Sequence, residues 1–251
     1  NKLPHAEVHR CASIEKIGDK GILELGEIIA AEIKIKLQRY IDADKLECIT
    51  LIGHSRGGLV VRAALPHLEE YSKYFHGLVT FATPHYGYIH SKSKLLSIGM
   101  WAVSRFTKDP TVGEMRLSDK SNIEECALYV LSNAKGLEWF KHVLLVGSSH
   151  DTYSPLESAL IQFSERFSEN ANIKTICENI QEKLKASKVT RVNVNFKFAD
   201  SSIDTYIGRM GHIQFVENSE LLKMIITRYD KIFVETLSKK ENKKCITLRK
   251  H

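Results

Sequence analysis

Residues 25–41, LGEIIAAEIKIKLQRYI, repeat their apolar positions at helical spacing. Leu25, Ile29, Ile33, Leu37, Tyr40 and Ile41 share one face and charged side chains lie opposite. Asp42 to Lys45 break the pattern. The period then changes: ECITLIG (47–53) is a short apolar run rich in β-branched residues, which predicts a strand buried on both faces. LVVRAALPHL (59–68) reads as a helix with Pro66 near its end, and HGLVTFAT (76–83) as a second buried strand closed by Pro84. Strand, helix, strand in so short a span is a βαβ unit, which implies parallel strands with helices on both faces.

The pattern continues with HVLLVG (142–147) as a third apolar strand and VTRVNVNFKF (189–198) as a fourth with cleaner alternation. Helices are expected to fill 155–187 and 218–236. Between the second and third strands an insertion, 87–141, carries two helical stretches, 94–106 and 122–133. No repeat or low-complexity linker divides the chain, so residues 1–238 read as one α/β domain with a mostly parallel central sheet.

Composition adjusts this picture little. Of 251 residues, 43% are hydrophobic and 26% charged, as in ordinary globular proteins, and no apolar run is long enough to span a membrane. NKLPHAEVHR at the start is too polar for the core of a signal peptide. The net charge of +6 is concentrated: Lys239, Lys240, Lys243, Lys244, Arg249 and Lys250 oppose only Glu241, so +5 lies in residues 239–251. That stretch reads as a basic C-terminal tail, and the rest carries no basic face for nucleic acid. Five scattered cysteines (Cys11, Cys48, Cys126, Cys177 and Cys245) without C-x-x-C spacing argue against a disulfide framework or a metal site. They point to a reducing, intracellular and cytoplasmic setting.

Candidate chemistry begins where the first strand ends. Gly53-His54-Ser55-Arg56-Gly57 fits G-x-S-x-G, the sharp strand-to-helix turn that lifts a serine hydroxyl out of the backbone. Gly53 and Gly57 let the chain pass closely beneath a strained residue. A short pattern also matches by accident, but here it follows a buried strand and precedes a helix, as that turn requires. A serine needs a base to take its proton and an acid to orient the base, in the chain order Ser, acid, His on such sheets. Asp151, in VLLVGSSHDTYSP, lies just past the third strand, where ligands of open α/β sheets gather; it also suits a turn. The loop after the second strand, ATPHYGYIH, holds no carboxylate. Within the body of the domain only His212 follows Asp151, in the Gly-flanked stretch IGRMGHIQF, read as a loop before the last helix.

With these blocks the chain resembles the lipase-like serine esterase family of eukaryotes, within the α/β-hydrolase superfamily. The resemblance rests on LIGHSRGGLVVRAAL, FATPHYGY, LSNAKGLEWFKHVLLVGSSHDTYSPLESALI and IGRMGHIQFVENSELL, in that order, and runs over nearly all of residues 1–236. It implies an α/β-hydrolase fold, a triad of Ser55, Asp151 and His212, and lipase- or esterase-like activity without cofactor or metal. The backbone N–H of Arg56 supplies one oxyanion donor. Such proteins carry a second donor in the loop after an N-terminal strand ending in His-Gly. No H-G-x-x-G precedes Ser55 here, so the N-terminal strands are expected upstream of residue 1, in a longer protein.

The expected reaction is hydrolysis of a carboxylic ester of a lipid or other acyl substrate through an acyl-enzyme. The apolar positions of KLLSIGMWAVSRF (94–106) fit either a mobile cap making transient contact with a membrane surface or a helix packed on the sheet. Two alternatives stay open: a non-catalytic interaction module on the same fold, and acyl transfer to an alcohol other than water by the same residues.

Overall fold

The computed structural model describes residues 6–15, 17–88, 109–164, 170–196, 204–233 and 244–249, with 204–210 and 244–249 as backbone only. In chain order its elements are β1 (Ala6–Arg10), α1 (Ile22–Asp42), β2 (Leu46–His54), α2 (Arg56–Ala64), a 3₁₀ stretch (Leu65–Tyr74) and β3 (Phe75–Phe81). Next come α3 (Thr111–Met115), a 3₁₀ turn (Ile123–Glu125), α4 (Ala127–Asn133), a further 3₁₀ turn (Leu137–Trp139) and β4 (His142–Gly147). The chain continues through α5 (Leu156–Leu160), α6 (Ala171–Lys183), β5 (Lys188–Asn193), α7 (Asp204–Glu217), α8 (Ser219–Arg228), α9 (Asp230–Phe233) and β6 (Lys244–Arg249).

The six strands form one sheet in the order β1-β6-β2-β3-β4-β5, and all five pairings are parallel. Alternation along the central strands sorts their side chains into two cores. Leu51, Leu78, Val143 and Leu145 pack on the face covered by α1, α2 and α6, with Ile29, Ile33, Val60 and Ile176. Val79, Phe81, Leu144 and Val146 pack on the other, with Phe215 of α7, Leu221 and Ile225 of α8, and Ile232 and Phe233 of α9. Both faces of β3 and β4 are thus covered, which is why their sequences are mainly apolar rather than alternating. Two side chains fix α9 across the lower core: Thr50 Oγ1 donates to the Ile232 carbonyl at 2.9 Å and the ring of His76 bonds the Lys231 carbonyl at 2.7 Å.

Several expectations shift. The helix at 59–68 begins earlier, at Arg56, and at Pro66 the chain tightens into the 3₁₀ stretch. Among the described residues of 155–187 there are two helices: Ile161 turns left-handed (φ 51°) to end α5, and Asn170 starts α6 by capping Ile173 N–H. The stretch 94–106 lies outside the described residues. The tail reading of 239–251 gives way at Lys244–Arg249, which forms β6 inside the sheet, and β1 is a strand that the polar pattern AEVHR concealed.

Cys126 and Cys177 are buried free thiols and Cys11 is buried, whereas Cys48 is disulfide-bonded, a single pairing that the scattered spacing does not reveal. Strand pairing brings together positions that spacing cannot relate: the Cα of Cys48 stands opposite that of Cys245. Among the described residues no helix is long and apolar enough to cross a membrane.

Candidate active site

The site is built where β2 stops. Ser55 adopts φ 53° and ψ −132°, a strained conformation for a residue with a side chain. It is held there by its own amide, which donates to the Phe81 carbonyl of β3 at 2.8 Å, and by its carbonyl, which accepts from Gly58 N–H at 3.1 Å. The tightness of this turn explains the glycines around it. A Cβ on Gly53 would lie 2.5 Å from Gly58 Cα, and one on Gly58 would lie 2.1 Å from Thr83 Oγ1. Gly57 is buried in the first turn of α2. The sequence motif singled out Gly53 and Gly57 but passed over Gly58; the doubled glycine was the available signal.

Asp151 follows β4, and its side chain is fully buried. Its Oδ1 accepts from Tyr153 N–H at 2.8 Å and Ser154 N–H at 3.0 Å, so the loop's own backbone fixes the carboxylate. Its Oδ2 faces His212 Nδ1 at 2.7 Å, and Ser55 Oγ lies 2.8 Å from His212 Nε2. A carboxylate can only accept, so the tautomer satisfying both contacts carries its proton on Nδ1 and accepts the Ser55 hydroxyl proton on Nε2. Three residues that are far apart in sequence thus form one continuous hydrogen-bonded line. Such a line can take a proton from a serine oxygen and stabilise the imidazolium that results.

His212 lies within α7 rather than in the loop that its flanking glycines implied. Gly211 serves close approach: a Cβ there would lie 3.0 Å from the His150 carbonyl, so its absence lets the helix close onto the acid loop. The imidazole is held between two rings, His54 at 4.9 Å and Tyr153 at 5.5 Å between centroids. His54 Nε2 also donates to the His212 carbonyl at 3.2 Å. Phe215, one helical turn on, is buried against Phe81 and Phe196 and anchors α7 to the sheet. Neither His54 nor Tyr153 could be assigned as a support for His212 from spacing, because both contacts are made only when β2, the acid loop and α7 converge.

On the other flank of Ser55, Arg56 occupies the first position of α2, where amides have no intrahelical partner. Its guanidinium donates to Asp109 Oδ2 at 2.8 Å and to Thr111 Oγ1 at 3.4 Å. Tyr88 lies beside this pair and the acid. Burial pushes its phenol well above the usual range, with Asp151 adding in the same direction and Arg56 opposing. Deeper in α2, Arg62 is buried and donates to the carbonyls of His85 and Leu131; burial lowers its pKa to about 9.

The profile of the family described as "Putative serine esterase (DUF676)" matches residues 8–166, more than half of the chain. Among solved structures, the chain is similar to the lipase BlEst2 of Bacillus licheniformis in its mature form. Identity is 17%, with 81% of this chain and 75% of that chain covered and a TM-score of 0.37. It is also similar to a thermophilic esterase from Thermogutta terrifontis, at 14% identity, 82% and 72% coverage and a TM-score of 0.37.

Proposed function

Because the chain belongs to the DUF676 serine esterase family, we propose that it hydrolyses carboxylic esters with Ser55 as nucleophile, His212 as general base and Asp151 as the group that orients His212. The observation that carries this reading is the unbroken line Ser55 Oγ–His212–Asp151, with contacts of 2.8 and 2.7 Å.

In the first half-reaction His212 Nε2 takes the proton of Ser55 Oγ as the oxygen attacks the ester carbonyl, and the carbonyl oxygen becomes an oxyanion. Arg56 N–H, at the start of α2, is the donor assigned to that charge and gains from the positive end of the helix. The imidazolium then protonates the departing alkoxide, leaving an acyl group on Ser55. Water enters, gives its proton to His212 and attacks the acyl-enzyme, which releases the acid and restores the serine. The substrate class is an ester of a lipid or other acyl group.

The test is hydrolysis of p-nitrophenyl esters of graded chain length by the wild-type chain and by Ser55→Ala. Turnover that disappears in Ser55→Ala supports the reading. Equal turnover by the two proteins, or none by a folded wild type, rejects it. Adding a competing alcohol separates hydrolysis from acyl transfer, since transfer yields a new ester in place of the free acid.

A further inference from the structure

Arg56 is tied down in a way that the chemistry above does not require of its side chain. The guanidinium reaches across to Asp109, 53 residues along the chain, and its Nη1–Oδ2 contact is 2.8 Å. Asp109 is itself immobilised: its Oδ1 accepts from the Thr111 hydroxyl at 2.6 Å and from Thr111 N–H at 3.0 Å, leaving Oδ2 directed at Arg56. Thr111 is buried, so this brace belongs to the folded framework rather than to a waving loop. The side chains of Arg56 and Asp109 are 34% and 25% exposed, so the pair is partly shielded from water and from salt.

Ser55, directly before Arg56, sits at positive φ. A strained turn relaxes unless its surroundings over-determine it. One side of the turn is fixed by the Ser55 amide bond to Phe81 and by the steric fit of Gly53 under Gly58. Arg56, on the other side, carries the amide assigned to the oxyanion, and an oxyanion donor is effective only when it is already aimed. We propose that the Arg56–Asp109 ion pair, braced by Thr111, is a positioning device: it clamps the first residue of α2 and thereby aims the Arg56 amide at the reacting carbonyl. Arg56 then acts twice, through its backbone on the oxyanion and through its side chain on its own backbone.

This inference rests on the esterase reading for its kinetic consequence, but not for its structural one. Two measurements therefore run together on wild type, Asp109→Asn, Arg56→Met and Arg56→Lys. Kinetics with a soluble p-nitrophenyl ester should show kcat lower by about tenfold in Asp109→Asn and Arg56→Met, less than the ~10²–10³ that accompanies loss of an oxyanion donor. KM should stay within about twofold, because the aimed amide acts on the transition state. Arg56→Lys, which keeps the charge, should recover most of the loss. The double variant Asp109→Asn with Arg56→Met should be no worse than either single change, since both remove one contact.

Hydrogen exchange of the backbone amides at 56–58 supplies the second readout and needs no substrate: exchange should be faster in Asp109→Asn than in wild type, with β4 unchanged. Unaltered exchange there overturns the proposal, whatever the kinetics. A rise in KM with kcat retained overturns it in favour of direct contact between the Arg56 side chain and substrate. A wild type that turns over no ester rejects the esterase reading, and exchange at 56–58 still decides the clamp.

Discussion

The two sides of the sheet contrast sharply. From β2 through β3 to β4 the strands are apolar, covered on both faces, and end at the residues that form the site: Ser55 after β2, Asp151 after β4. On the other side, β1 is polar, with Val8 63% exposed, and β6 comes from a lysine-rich stretch at the far end of the chain. The difference teaches what makes a parallel sheet readable. A strand with helices on both faces is mainly hydrophobic, whereas the edge strand β1 need not be; β6, between β1 and β2, is set by long-range pairing. The hydrogen-bonded line of Ser55, His212 and Asp151 hangs from the apolar side. Ser55 is bonded to β3, Asp151 sits on the loop that leaves β4, and His212 is anchored through Phe215 to the core shared with Val79 and Leu144.

The comparison yields ordered consequences. Asp151→Asn, which keeps the shape but removes the charge orienting His212, is expected to lower kcat by ~10⁴. Ester-hydrolysis kinetics check it, and a loss below tenfold would detach Asp151 from the chemistry. Leu144→Ala opens a cavity between β4 and α7 and is expected to cost ~2–5 kcal/mol of stability, read from denaturant unfolding. Gly58→Ala forces a methyl against Thr83 and is expected to cost ~1–3 kcal/mol, with a fall in activity as the elbow shifts. Val8→Thr on the exposed face of β1 should change stability by no more than ~0.5 kcal/mol. Were Val8→Thr to match Leu144→Ala, the contrast between the two sides would be lost.

The same contrast explains how much was legible. The patterns at 47–53, 76–83 and 142–147 mark β2, β3 and β4 because their apolar character is set by burial on two faces. The residues singled out at the strand ends, Ser55 and Asp151, meet His212 in space because chain order on such a sheet constrains where each can lie. What stayed hidden depends on long-range pairing. Nothing in KCITLR marks it as the neighbour of β2, and nothing local links Asp109 to Arg56. The glycines around His212 suggest a loop because glycine weakens helices; in α7, Gly211 instead eases the close approach to the His150 carbonyl, a contact that only the folded chain makes.

The most direct test of the central claim is covalent labelling by a fluorophosphonate, with the modified peptide identified by mass spectrometry. The account predicts one adduct, on Ser55, formed by wild type, absent in Ser55→Ala and strongly slowed in Asp151→Asn. A folded wild-type chain that remains unlabelled at Ser55, or one labelled equally in Asp151→Asn, would contradict it.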